Sequence, residues 1–345
     1  MIPTPYLLYL GDATDEIAVK TSRGLAVWSP DLCVGEYRRS PAAVSLGLRQ
    51  MSFAQAAQAG AKTLILGVAN VGGVLGPSAI ADVLAALEAG LNVAAGLHDR
   101  LSDQPELKAA ADRLGLRLFD VRQPPAHLVT GDGRRRAGRR LLTVGTDCSV
   151  GKMYTTLALV EVMRKRGLAA DFRATGQTGI LIAGAGVPVD AVVADFISGS
   201  VERLSPARDD GGWDVIEGQG SLFHPAFAGV SLGLLHGAQP DAIVLCHTPG
   251  RAHMRGLPGR ALPDLATCLD ANLASARLTN PDVIAVGVAL NTSALSSSAA
   301  LELCASVSRR LDLPCQDPMT MGVDLILDRL DTCFESSTSS VSPGR

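Results

Sequence analysis

Apolar and polar positions alternate in blocks from Lys62 onward. In "KTLILGVANVGGVLGPSAIADVLAALEAGLNVAAGLHDRL" an apolar run is followed by a glycine-rich turn, an Ala/Leu stretch with helical spacing and a second apolar run. Strand, helix and strand in that order predict a βαβ unit on a parallel sheet. Pro105 to Gly115 then reads as a further helix and "LRLFDV", Leu116 to Val121, as a third strand. Residues 1 to 50 contain short strand-like pieces whose pattern is too weak to place. A first domain over residues 1–130 with an open, Rossmann-like α/β sheet is the economical expectation.

Between Gln123 and Arg140 the texture changes to "QPPAHLVTGDGRRRAGRR". A segment so rich in Pro, Gly and Arg buries little, and residues 131–140 are read as a solvated linker. Beyond it come a strand at Leu141–Val144, a loop, a helix at Lys152–Arg166, and strands at Ala170–Ala174, Trp213–Glu217, Ala242–His247 and Val283–Leu290. This second series predicts an open α/β domain over 141–335 with a mostly parallel sheet and its polar turns at the strand ends. The tail "ESSTSSVSPGR" ends the chain in low complexity, with 336–345 expected to be frayed.

Composition narrows the function. Hydrophobic residues make up 47% of the chain, aromatics only 4%, and there are 36 glycines, which suits helices packed closely on buried strands. A net charge of −3 exerts no pull towards nucleic acid or anionic membrane, so the expected partner is a small molecule. Seven scattered cysteines contain no CxxC pair. Free thiols in a reducing cytosol are expected, with no structural metal site. No apolar run reaches the length of a membrane span, and the N-terminus lacks a basic leader, so a cytoplasmic protein is expected.

The stretch "LLTVGTDCSVGKMYTTLAL" carries the clearest chemistry. Gly145, Thr146, Asp147, Cys148, Ser149, Val150, Gly151 and Lys152 lie between an apolar strand and an amphipathic helix, the context of a phosphate-binding loop. Such loops place Ser or Thr after the lysine to hold Mg²⁺; here the residue is Met153, followed by Tyr154. A thioether does not coordinate a hard cation. Phosphoryl transfer needs the metal to neutralise developing charge, so the loop suits a ligand whose phosphates serve as a handle.

"GTDCSVGK" resembles the "GTDTxVGK" loop of dethiobiotin synthetase. The chain as a whole is more similar to the DgcN-type D-glutamate N-acetyltransferases, through "YLLYLGDATDEIAVKTSRGLAVW", "LEAGLNVAAGLHDRL", "GTDCSVGKMYTTLAL", "TGQTGILI" and "EGQGSLFHPAF". That resemblance implies a two-domain chain, its C-terminal half over 141–335 a P-loop NTPase-like domain, moving the acetyl group of acetyl-CoA to the amino nitrogen of D-glutamate or a similar D-amino acid. Coenzyme A carries a pyrophosphate and a 3′-phosphate, so residues 145–154 would bind the donor without magnesium; the arginine run "RRRAGRR" is the alternative partner for those phosphates if it is not simply solvated. The alternatives are an ATP-dependent kinase or ligase like dethiobiotin synthetase, and a nucleotide-sensing module without catalysis. A homo-oligomer is expected.

Other polar groups gather where strands end. Glu217 and His224 in "EGQGSLFH" are candidates to take the proton of a substrate ammonium, since only a neutral amine attacks a thioester. Asp147, a carboxylate inside a phosphate loop, is a third candidate base. Gln177 and Thr178 in "ATGQTGILIAG" suit contacts to a ligand amide or carboxylate. Arg251 and Arg255, near His247 and His253, suit bidentate carboxylate recognition. Asp195 is read as a helix cap or a catalytic acid. The glycines of "NVGGVLGP", Asn70 to Pro77, make a tight turn or a weak dinucleotide loop. Cys148, at a helix N-terminus, raises a covalent acetyl-cysteine route, but no histidine partner is identifiable in the sequence, and direct transfer is preferred.

Overall fold

The computed structural model describes residues 2–16, 18–68 and 75–335, and the chain forms two compact units. The first comprises residues 1–124 and 176–191; the second comprises 125–175 and 192–345. The chain therefore crosses between them three times. Most of the glycine turn of "NVGGVLGP" and the tail after residue 335 lie outside the described residues.

The first unit is a five-stranded sheet in the order β2-β1-β3-β4-β5, built from β1 (Tyr6–Gly11), β2 (Cys33–Arg38), β3 (Thr63–Leu66), β4 (Asn92–Ala95) and β5 (Leu118–Asp120). Every neighbouring pair is parallel. Parallel strands are covered on both faces and so read as unbroken apolar runs; all six residues of β1, "YLLYLG", are buried. The N-terminal fifty residues thus supply β1 and β2 themselves. Helices α1 (Lys20–Trp28), α2 (Phe53–Gln58), α3 (Pro77–Glu88) and α4 (Pro105–Leu114) cover the sheet. Pro77 and Pro105 open their helices at the position where a missing N–H costs nothing. Gly115 closes α4 in the left-handed conformation.

The segment "TGQTGILIAG", expected as a loop of the second domain, behaves differently. Gln177–Ala183 forms a helix, α6, that belongs to the first unit. Leu181 is buried there with Tyr6, Leu8, Leu25, Ile65 and Ala94, flanked by Ile180 and Ile182.

The second unit holds a six-stranded sheet in the order β11-β10-β9-β6-β8-β7, again with all neighbours parallel. Its strands are β6 (Arg139–Gly145), β7 (Ala170–Arg173), β8 (Trp213–Ile216), β9 (Ala242–His247), β10 (Ile284–Leu290) and β11 (Cys315–Gln316). Helices α5 (Lys152–Lys165), α7 (Ile197–Leu204), α8 (Ala228–Ala238), α9 (Leu265–Arg277), α10 (Ser297–Leu311) and α11 (Asp324–Glu335) flank it. Central β6 delivers its C-terminal end straight into the Gly145–Gly151 loop and α5.

The arginine run is embedded rather than solvated at two positions. Arg140 lies within β6 at 3% exposure, and its guanidinium donates to Ser205 Oγ and to the carbonyls of Arg136, Ala137, Gly138 and Pro206. Arg136 in turn donates to the carbonyls of Ser205, Gly237 and Ala238. These two side chains tie the strand entrance to the helices behind it.

Candidate active site

The loop after β6 is shaped by close backbone approaches. Ser149 and Gly151 take left-handed φ values of 53° and 96°, so the chain curls before α5 starts. A Cβ on Gly145 would stand 2.8 Å from Val150 Cγ2 and 3.1 Å from Lys152 Nζ. Helix α5 begins without a side-chain cap. Its first-turn amides and the positive end of its dipole are therefore not occupied by a capping side chain, the arrangement that favours an anion at a helix start.

Lys152 lies beneath the loop at 7% exposure. Its Nζ donates to the carbonyls of Asp147 (2.8 Å) and Gly220 (2.7 Å), leaving a third proton for a ligand. Burial pulls its pKa below the usual lysine value, opposed by the neighbouring thiols and the Asp147 and Glu217 carboxylates. The hydroxyls that a nucleotide hydrolase would need are turned away. Thr155 donates to the Gly151 carbonyl and Thr156 to that of Lys152, while Met153 occupies the metal-ligand position.

Asp147 is fully buried, and both oxygens of its carboxylate are engaged. Oδ1 accepts from its neighbour's amide at Cys148 (2.7 Å); Oδ2 accepts from Arg251 Nη1 (2.7 Å) and the Arg255 amide (2.8 Å). Arg251 continues along the loop, donating to the carbonyls of Cys148 (2.7 Å) and Ser149 (2.9 Å), and Arg255 reaches the Ser149 hydroxyl. Asp147 thus fastens the segment after β9 onto the loop. A free carboxylate facing a substrate amine is not what the structure contains at this position.

The strand-end segment after β8 closes the other side. Gly218 passes so close to β6 that a Cβ there would meet the Thr143 carbonyl at 1.7 Å, and its amide donates to Thr143 Oγ1 (3.0 Å). Thr143 and Thr156 share a hydrogen bond (3.0 Å), so hydroxyls in β6 and α5 fix the register of the 218–221 turn. Neither threonine is conspicuous in sequence, because a Thr in a strand ordinarily signals only β propensity. Glu217 is 4% exposed and accepts from the Thr175 amide (3.0 Å), while the Thr175 hydroxyl donates to the Glu217 carbonyl (2.6 Å). It therefore anchors the last residue before the chain leaves for α6.

His224 sits at 2% exposure, stacked on Phe227 at 4.5 Å. Its Nε2 lies 3.0 Å from the Arg255 carbonyl, and Nδ1 receives the Ala226 amide at 3.3 Å. A carbonyl can only accept, so Nε2 carries the hydrogen and Nδ1 the lone pair. His247 contacts the Thr146 hydroxyl through Nδ1 (2.9 Å). Its pKa falls to about 4, first through burial and then through the Arg251 and Arg310 charges, so it is neutral at physiological pH.

Among the described residues, ligand atoms of Asp147, Cys148 and His224 converge within 4.8 Å of one another. As a cation site this group is poorly disposed, since Arg251 already neutralises Asp147 and both His224 nitrogens have backbone partners. Gln177 and Thr178 belong to the first unit: a Cβ on Gly96 would press on Gln177 Cγ at 2.6 Å, and Thr178 bonds Thr21 (3.0 Å). Arg251 and Arg255, by contrast, join the loop. Asp195 does not cap α7, whose N-cap is Phe196 with no side-chain bond. His98 contacts Arg122 (2.7 Å), and Asp99 accepts from the Leu75 amide (3.0 Å). No described helix is long and apolar enough to cross a membrane.

Comparison with known proteins agrees with this architecture. A D-glutamate N-acetyltransferase from Pseudoalteromonas sp. is 51% identical over 329 residues, covering 95% of this chain and 99% of its own. A protein of the same name from Tritonibacter scottomollicae is 49% identical over 330 residues, covering 96% and 99%. The crystal structure of a DUF1611 family protein from Anabaena variabilis matches with a TM-score of 0.87 at 34% identity, over 96% of this chain and all of that one. Residues 41–124 match the Rossmann-like domain of unknown function DUF1611_N and residues 127–327 the DUF1611_C P-loop domain. With both halves matched in order, the chain belongs to the DUF1611 family.

Proposed function

We propose that the protein transfers the acetyl group of acetyl-CoA to the amino nitrogen of D-glutamate. The observation that carries this reading is the near-full-length identity, at 51% and 49%, to two proteins named D-glutamate N-acetyltransferase. The loop supports it. An uncapped helix start, a buried lysine with one proton to spare and a methionine at the magnesium position suit a donor held by its phosphates and altered elsewhere.

In this reading the amides before α5 and Lys152 bind the coenzyme phosphates. Asp147 and Arg251 keep the loop in its binding shape, so Asp147 acts as an organiser rather than as the base. Glu217 and His224 are the groups that take the ammonium proton, and the guanidinium of Arg255 is the carboxylate partner for the acceptor. Thiol release from acetyl-CoA on adding D-glutamate tests this, with EDTA present, ATP absent and L-glutamate as comparison. The expected product is N-acetyl-D-glutamate, identified by mass. Acetylation that required ATP and magnesium would refute the reading.

A further inference from the structure

We propose that Cys148 is a nucleophile that carries the acetyl group as a thioester, with His224 as its proton acceptor. The proposal rests on the acetyl-CoA reading above and deepens it. Its observation is a juxtaposition invisible in sequence: Cys148 Sγ, a ring nitrogen of His224 and a carboxylate oxygen of Asp147 lie within 4.8 Å of one another, although His224 is 76 positions further along the chain.

Three features fit the cluster to covalent transfer. Cys148 is half-buried within the loop, whereas Cys246, Cys268, Cys304 and Cys315 are buried; Cys148 alone combines access with a place in the donor loop. The histidine has the tautomer a base needs: the Arg255 carbonyl holds Nε2–H at 3.0 Å, which puts the lone pair on Nδ1, where the Ala226 amide meets it at a longer 3.3 Å and must give way to the thiol. A general base held by a third group is the pattern of an activated nucleophile. Lys152, beneath the loop, interacts electrostatically with the Cys148 thiol, and Arg251 offsets the Asp147 carboxylate of the same cluster, so negative charge developing on sulfur has a cation to favour it. The three atoms lie within 4.8 Å of one another, and catalytic bonds of ligand-free sites commonly shorten when the substrate arrives.

The steps balance. The Cys148 thiol gives its proton to His224 Nδ1, displacing the long bond from the Ala226 amide, and sulfur attacks the thioester carbonyl of acetyl-CoA. The carbonyl-to-coenzyme sulfur bond breaks as the bond to Cys148 forms, and the coenzyme thiolate takes the proton from His224. One thioester replaces another, so no oxidant or further reactant is needed. The neutral acceptor amine then attacks acetyl-Cys148; the carbonyl-to-Cys148 sulfur bond breaks as the amide forms, and the proton lost by the amine passes to the Cys148 thiolate and restores the thiol.

The test uses the full chain. Incubation with acetyl-CoA alone should add the mass of one acetyl group, mapped to the peptide containing Cys148, and release one equivalent of coenzyme thiol. Initial rates against both substrates should give parallel reciprocal plots, the signature of a ping-pong route. Cys148→Ala should lower kcat on the order of a thousandfold or more while acetyl-CoA still binds, and a melting curve on the same sample shows that it folds. His224→Asn should slow acetylation of Cys148 itself. Unmodified protein with intersecting plots, or a Cys148→Ala enzyme that retains turnover, would overturn the proposal while leaving acetyl transfer to D-glutamate intact. Acetyl-Cys148 formed without any amide product from D-glutamate would uphold this step and defeat the acceptor assignment.

Discussion

Asp147→Asn separates architecture from chemistry at the loop. The substitution keeps the shape of the side chain and one carbonyl oxygen, so the bond from the Cys148 amide survives. The atom facing Arg251 Nη1 and the Arg255 amide becomes a donor set against two donors, and both of those bonds are lost. Bonds to a charged group contribute about 1.5–3 kcal/mol each, an upper bound near 6 kcal/mol. Arg251 is 24% exposed and regains water, which brings the expected loss to about 3 kcal/mol. At about 2–4 °C per kcal/mol for a unit of this size, the melting temperature should fall by roughly 6–12 °C. Because the loop amides are no longer held in place, the Kd for acetyl-CoA should rise by about tenfold, or about 1.4 kcal/mol. Scanning calorimetry and calorimetric titration with coenzyme A measure the two effects. A variant that melts within a degree of the parent, binds acetyl-CoA as well, and yet does not turn over would refute the organiser role and make Asp147 a chemical participant.

Lys152→Ala should weaken acetyl-CoA binding by on the order of 10²-fold, as expected for losing a charge-assisted phosphate contact, seen as a raised KM; an unchanged KM would remove the loop from donor binding. His247 has a folded pKa of about 4 against an ordinary value of 6.5, so the unfolded chain binds the extra proton first. Stability should therefore be lost as pH falls from about 6.5 towards 4, and His247→Asn should flatten that part of a melting-temperature profile. Leu181→Ala removes a fully packed side chain of α6 and should cost about 2–5 kcal/mol, read by urea denaturation; a loss below about 1 kcal/mol would mean that α6 adds little to the core.

Much of the second sheet was legible because its strands are apolar runs buried on both faces. Ala242–His247 coincides with β9, and the loop announces itself by its glycines and lysine between strand and helix. The failures have physical causes. In α6 the only apolar signal is "ILIA" within seven residues, too short to show a helical period, and its partners Tyr6, Leu8 and Leu25 lie far away in the chain. β1 was faint for a similar reason, a single six-residue run. Asp147 resisted explanation because its counter-charge comes from Arg251, more than a hundred positions later. The arginine run misled because composition cannot tell a guanidinium in water from one with five protein acceptors, as at Arg140.

The excursion of residues 176–191 also bears on how this protein can be cut, shuffled or inherited. A gene fragment ending at Pro124 would encode a sheet whose hydrophobic face lacks Leu181 and its isoleucine neighbours, and a fragment beginning at Pro125 would carry a greasy helix with no home. Neither half is a cassette. A recombination between relatives at the obvious proline-rich boundary would pair one parent's strands with the other parent's α6. The two halves are thus bound to change together, and a chimera should be designed to exchange 176–191 along with the first 124 residues.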